Sequence, residues 1–168
     1  MGKESFLKRL KQTIIDIKGV YKDCEKYNAI SIRGNKDFIY KTKLALDLLQ
    51  EKSPDAFNLI KGSLKDIIMG SHSYAGVDYS TCVIGNAYMA PLIIYASTLA
   101  HEAYHIELYR KFKKDNPSIR KVPPEVYGGA IGEKKALDYE VGVLRQLGAD
   151  EATIEKCSKL YDTKWWEE

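Results

Sequence analysis

Two of the three histidines in this 168-residue chain lie four positions apart, with a glutamate directly after the first: His101, Glu102 and His105, in the stretch LAHEAYHIEL (99–108). On a helix, residues four apart project from nearly the same side, so the two imidazoles can point at one ion. Zinc suits them, because it takes neutral imidazole nitrogen at about 2.0–2.1 Å and keeps a position open for water in catalytic sites. Glu102 would then sit beside that water as a general base, taking its proton and passing it to a leaving amine. The plainer reading is an ordinary helix that holds two histidines. Against it stand the neighbours Leu99, Ala100, Ala103, Tyr104 and Ile106, all uncharged. Polar side chains buried among them would be costly unless something occupied the site.

Two histidines do not complete a catalytic zinc site, and a third protein ligand is needed. The remaining histidine, His72, lies upstream in the loop-like stretch SHSYAGVDYS (71–80), and no third histidine follows the motif closely. The segment near 130–147 offers Glu133 and Glu140, seven residues apart and so on one face of a helix. Both also read as members of a solvated helix face with intrahelical pairs. Asp138 is a candidate to accept a proton from a histidine's other ring nitrogen. Tyr127 and His72 are candidate donors to an oxyanion, and Tyr127 reads equally as a packed aromatic.

The motif His101-Glu102-x-x-His105, with Thr98 three positions before the first histidine and uncharged neighbours, resembles the zincin superfamily of zinc metallopeptidases. Glu107 departs from the extended pattern, which usually has an apolar residue there. The wider run from ALDLL…SPDAFNLI through YASTLAHEAYH to EKKALDYEVGVLRQLGA is similar to small bacterial zincin-like domains. The resemblance implies zinc as cofactor, Glu102 as catalytic base and a peptide or protein as substrate. It also implies a third ligand of the gluzincin type, a glutamate on a later helix. Glu133 opens EKKAL, similar to the Glu-x-x-Ala pattern of that group, with the small Ala136 one turn on; Glu140 is the alternative. Zincins present a strand edge beside the cleft, which an extended peptide joins by main-chain hydrogen bonds. TCVIGNAYM (81–89) stands in the right place for that strand, and reads equally as a buried core strand. The alternative function is a non-catalytic zinc-binding domain that uses the cleft to bind a partner protein.

The elements that must position these residues follow from apolar periodicity. An amphipathic helix is expected over 4–26, a short strand over 29–33 and a helix over 37–50. Ser53-Pro54 starts a third helix that carries Phe57, Ile60, Leu64, Ile67 and Ile68 inward and ends near Gly70. A strand or tight hairpin follows at 81–89. Pro91 opens a long helix to about Lys114, which holds the histidine motif. A connection with Pro123-Pro124 and Gly128-Gly129 leads to the helix 130–147, stopped by Gly148, and Asp150 caps a last helix through Tyr161. The expected fold is mainly α (α+β) and zincin-like, one domain over 1–168, with 1–70 as a helical N-terminal part and 71–168 as the metal-binding core.

Composition agrees with a globular domain: 45% hydrophobic, 29% charged, and a net charge of +3, too small to argue for nucleic acid or a membrane surface. No apolar run approaches the length of a membrane span, and the N-terminus lacks the apolar core of a secretory signal. Cys24, Cys82 and Cys157, odd in number and far apart, speak against a disulfide framework. A cytoplasmic protein is expected. The basic run YRKFKKDNPSIRK (109–121) reads as the solvated end of a helix, and Trp165-Trp166 as a packing contact.

Overall fold

The computed structural model describes residues 23–160. The helix expected over 4–26 falls largely outside that range, and Trp165-Trp166 entirely so; within it, Cys24–Tyr27 is strand rather than helix. The fold is mixed α and β, with a five-stranded sheet in the order β1-β2-β3-β5-β4. The strands are β1 (Cys24–Tyr27), β2 (Ile30–Arg33), β3 (Asp66–Met69), β4 (Tyr74–Gly76) and β5 (Thr81–Ile84). The central three run parallel, and β1 and β4 are antiparallel to their neighbours at the two edges.

Between β2 and β3 the chain crosses over through two helices, α1 (Lys36–Lys52) and α2 (Pro54–Ser63), as a parallel pairing requires. Asn35 starts α1 by accepting the Phe38 backbone N–H at 2.8 Å. Pro54 opens α2 as its spacing predicts, but the Ser53 hydroxyl donates to Gln146 Oε1 instead of capping the helix. The third helix stops seven residues short of Gly70. Leu64 is already extended, and Ile67 and Ile68 lie in β3, paired on both sides in the middle of the sheet. Their apolar run fits a strand buried on both faces, where β-branched residues pack well.

Ile32, Ile67 and Cys82 align across β2, β3 and β5 and face the main core, which gathers Phe38, Leu46, Leu49, Phe57, Ile60 and Tyr95 from the helices. The segment 71–80 is not wholly a loop, since it contains β4. Gly85 ends β5 where the chain passes close to the preceding loop; a Cβ there would lie 2.8 Å from the Ser71 carbonyl oxygen and the His72 Cα. The rest of the expected hairpin, Asn86–Met89, is a 3₁₀ turn.

Three further helices and a short helical turn complete the described chain: α3 (Leu92–Asp115), the turn α4 (Pro124–Tyr127), α5 (Gly129–Gln146) and α6 (Glu151–Lys159). Along α3, Ala96, Leu99, Ala100, Ala103 and Ile106 are fully buried against the sheet and the other helices. Ala136 on α5 is buried as well, as expected of a small residue where two helices approach closely. Gly148 leaves α5 with φ +79°, and Asp150 caps α6 by accepting the Thr153 N–H at 2.7 Å. Among the described residues no helix is long and apolar enough to cross a membrane.

Candidate metal centre

The long helix α3 and the later helix α5 pack together over much of their lengths, and the histidine motif lies in that contact. His101, Glu102 and His105 are all buried, at 4%, 7% and 6% exposure, in the middle of α3. So much polar surface inside a helix of alanines and leucines needs a partner. Most of it comes from α5 and from the turn before it.

Glu133, in the first turns of α5, brings one carboxylate oxygen, Oε2, to 3.4 Å from Nε2 of both histidines. The two Nε2 atoms are 3.0 Å apart. His101, His105 and Glu133 thus form a group able to hold a metal ion. The edges of the triangle decide how well. A tetrahedral ion bonded at about 2.0–2.1 Å holds its donor atoms about 3.3 Å apart, and the observed edges are 3.0, 3.4 and 3.4 Å.

The other ring nitrogens support the same reading. His105 Nδ1 lies 2.5 Å from the Tyr127 carbonyl oxygen. A carbonyl only accepts, so this nitrogen carries the proton, and the Nε2 of a neutral ring presents a lone pair. His101 Nδ1 lies 3.0 Å from Glu140 Oε2, and Glu140 Oε1 accepts from Ser97 Oγ at 2.9 Å. Two imidazole nitrogens and a carboxylate oxygen converge on one point. Glu133 Oε2 is buried there and receives no well-formed hydrogen bond, and the same holds of His101 Nδ1 on the outer side of its ring. Only a cation or a shared proton relieves the repulsion among three such atoms.

The charges of the protein alone follow that crowding. Burial by itself would depress the His101 pKa, but Glu133 and Glu140 override it and hold the ring well above the ordinary histidine value. Burial would raise Glu133, but the close approach of the two histidines pushes it well below the usual carboxylate range. Metal binding at such a site displaces a proton. For Glu102 burial is the largest influence and raises the pKa; the two histidines offset it, while Glu133 and Glu140 add to it. The Glu102 carboxylate makes no side-chain hydrogen bond among the described residues.

No family model matches the chain, and no curated protein or solved structure is similar to it.

The geometry of the site sorts the candidate residues. Glu133, and not Glu140, faces the two Nε2 atoms; Glu140 is turned to the far side of the His101 ring. Asp138 is not the carboxylate beside a histidine: it is exposed and paired with Lys134, one turn back on the outer face of α5, at 2.5 Å. Asp138 and Glu140 are two residues apart, which turns them toward opposite sides of the helix. His72 is exposed in the loop before β4, with Nδ1 3.0 Å from Ser71 Oγ, and joins no metal-binding group among the described residues. Tyr127 serves the site through its backbone; its ring packs edge-on against Tyr109, 5.3 Å between centroids.

Sequence reasoning missed three participants. Ser97 lies one turn before His101 on the same stripe of α3. The Tyr127 carbonyl is presented by α4, where Gly128 N–H closes the turn onto Pro124 O at 2.8 Å. Gly132 makes that turn fit, because a Cβ on it would come within 3 Å of the Tyr127 carbonyl carbon. The glycines at 128, 129 and 132 were the available signal, since glycine recurs where backbones approach closely.

The expected cleft strand also changes. β5 is buried along its whole length and paired on both sides, so it has no free edge. Among the described strands β4 is the outermost on that side; it packs beside α3 and is tied to it at its turn by the hydrogen bond from Tyr109 OH to Asp78, 2.9 Å.

Proposed function

We propose that the protein is a zinc-dependent peptidase of the zincin-like, gluzincin type, with His101, His105 and Glu133 as metal ligands and Glu102 as general base. One observation carries the reading: three donor atoms converge at the spacing of a tetrahedral ion, and a buried carboxylate without a hydrogen bond stands at the next position on the helix. A purely structural zinc site closes its coordination with a fourth protein ligand and has no use for that carboxylate. Bound zinc supplies Lewis acidity, acidifying water and polarising a peptide carbonyl.

The chain's own residues do the rest. Glu102 accepts the proton of the attacking water and delivers it to the leaving nitrogen, the two proton transfers that amide hydrolysis needs at neutral pH. Tyr127 O and Glu140 hold the two rings so that their Nε2 atoms stay aimed at one point. A peptide or protein substrate suits that chemistry, in which one carboxylate carries the proton from the attacking water to the leaving nitrogen.

The test pairs metal content with hydrolysis. Purified wild type is expected to hold one zinc per chain and to cleave members of a mixed peptide library, read by mass spectrometry. Glu102→Gln is expected to keep the zinc and lose about 10²–10⁴-fold in rate. Glu133→Ala is expected to lose both. Wild type that holds zinc and cleaves nothing across the library would move the conclusion to a zinc-bearing module that binds a partner protein. Wild type that remains folded and takes up no zinc would sink the metallopeptidase reading.

A further inference from the structure

We infer that Glu140 and Ser97 form a positioning pair that locks His101 in its metal-binding tautomer, Glu140 acting through His101 Nδ1 and not as a ligand. The inference rests on the metal site proposed above and deepens it.

Glu140 is buried, and both of its oxygens are committed: Oε1 to Ser97 Oγ at 2.9 Å, Oε2 to His101 Nδ1 at 3.0 Å. To ligate a metal at the Nε2 triangle it would have to give up both contacts and pass around the imidazole. Removing a buried charged group from its partners is expensive, so the outer position is the stable one.

Ser97 explains why the carboxylate stays there. It lies one helical turn before His101 on the face of α3 that meets α5. Its hydroxyl lies 2.9 Å from both the Ile94 carbonyl oxygen and Glu140 Oε1. Both are acceptors, so the single hydroxyl proton is shared between them. The serine is fully buried, and no other side chain donates to Glu140 Oε1 among the described residues.

The two histidines then differ as donors. His105 gives its Nδ1 proton to a neutral carbonyl, whereas His101 turns its Nδ1 toward an anion, in a 3.0 Å contact that is not a well-aligned hydrogen bond. A carboxylate on the far nitrogen raises the basicity of the ring and fixes its rotation. His101 is therefore the firmer ligand, held by a carboxylate that two contacts from one helix keep in place.

The experiment measures zinc affinity by chelator competition, together with the absorption spectrum of the cobalt-loaded protein. Wild type, Glu140→Gln, Ser97→Ala and the double variant are compared. Glu140→Gln is expected to weaken zinc binding about 10–100-fold while the cobalt bands keep their position and intensity, because the ligand set is unchanged. Ser97→Ala is expected to weaken it less, and to add little in the Glu140→Gln background, as coupled neighbours do. A second measurement needs no variant. Nitrogen NMR of the zinc-loaded wild type is expected to show His101 protonated at Nδ1 and bound through Nε2.

Unchanged affinity in both single variants overturns the inference. So does a cobalt spectrum of Glu140→Gln that reports a lost ligand, or a His101 ring metallated at Nδ1. In each of those cases wild-type zinc binding, and with it the proposed peptidase, still stands. Wild type that binds no zinc overturns both.

Discussion

Tyr127 touches the candidate metal site through a carbonyl oxygen, and this makes a sharp test possible at a single atom. Tyr127→Phe removes the hydroxyl and leaves the carbonyl at His105 Nδ1 in place. Zinc affinity, measured by chelator competition, is expected to stay within about twofold of wild type, since the outer-shell hydrogen bond that supports the ligand is retained. A large loss would mean that the phenol reaches the site, as an oxyanion donor would have to. The same comparison marks what the residue pattern could reveal. His101, Glu102 and His105 were readable because four-residue spacing on a helix fixes which side chains share a face. Glu133 and Glu140 share a face too, so spacing could not say which of them meets the Nε2 pair; that depends on which ring nitrogen each one approaches. A backbone carbonyl leaves no mark in residue types at all, so the partner of His105 was out of reach.

At the scale of elements, the turn α4 and the first residues of α5 act as one piece, because the Tyr127 carbonyl and the Glu133 carboxylate approach the same histidine from a stretch of seven residues. Gly132 lets that piece close. Gly132→Ala puts a methyl group within 3 Å of the Tyr127 carbonyl carbon, which is backbone and cannot swing aside like a side chain tip. The turn must move, and the carbonyl with it. The variant is expected to remain helical by circular dichroism yet to bind zinc about tenfold or more weakly, the usual consequence of losing an outer-shell partner. Wild-type affinity in Gly132→Ala would show that the carbonyl does not orient His105. Elements with local signatures were readable: the Pro91 start of the motif helix, the Asp150 cap and the Gly148 stop. The end of α2 was not. Leu64, Ile67 and Ile68 continue the helical spacing of Phe57 and Ile60, yet the chain leaves the helix at Ser63 because two neighbouring strands await β3 on either side. Pairing partners distant in sequence outweighed local periodicity.

Across the whole molecule, the candidate ligands come from two helices more than twenty residues apart in sequence, so an ion held by all three ties α3 to α5 and exists only while they are packed. The unfolded chain offers no such triangle. Binding must therefore add to folding stability by mass action: zinc in hundredfold excess over its dissociation constant adds about 2.7 kcal/mol, which for a chain of this size is a rise in Tm of roughly 5–10 °C. The rise is expected to vanish with excess chelator, and to be absent in His105→Ala and Glu133→Ala. Glu102→Gln separates structure from chemistry in the same experiment. A base that is not a ligand leaves the metal-dependent rise intact, so this variant is expected to melt with the zinc-loaded wild type while failing to hydrolyse peptides. If Glu102→Gln instead loses the rise, Glu102 belongs to the coordination sphere and the division of roles proposed for α3 is wrong.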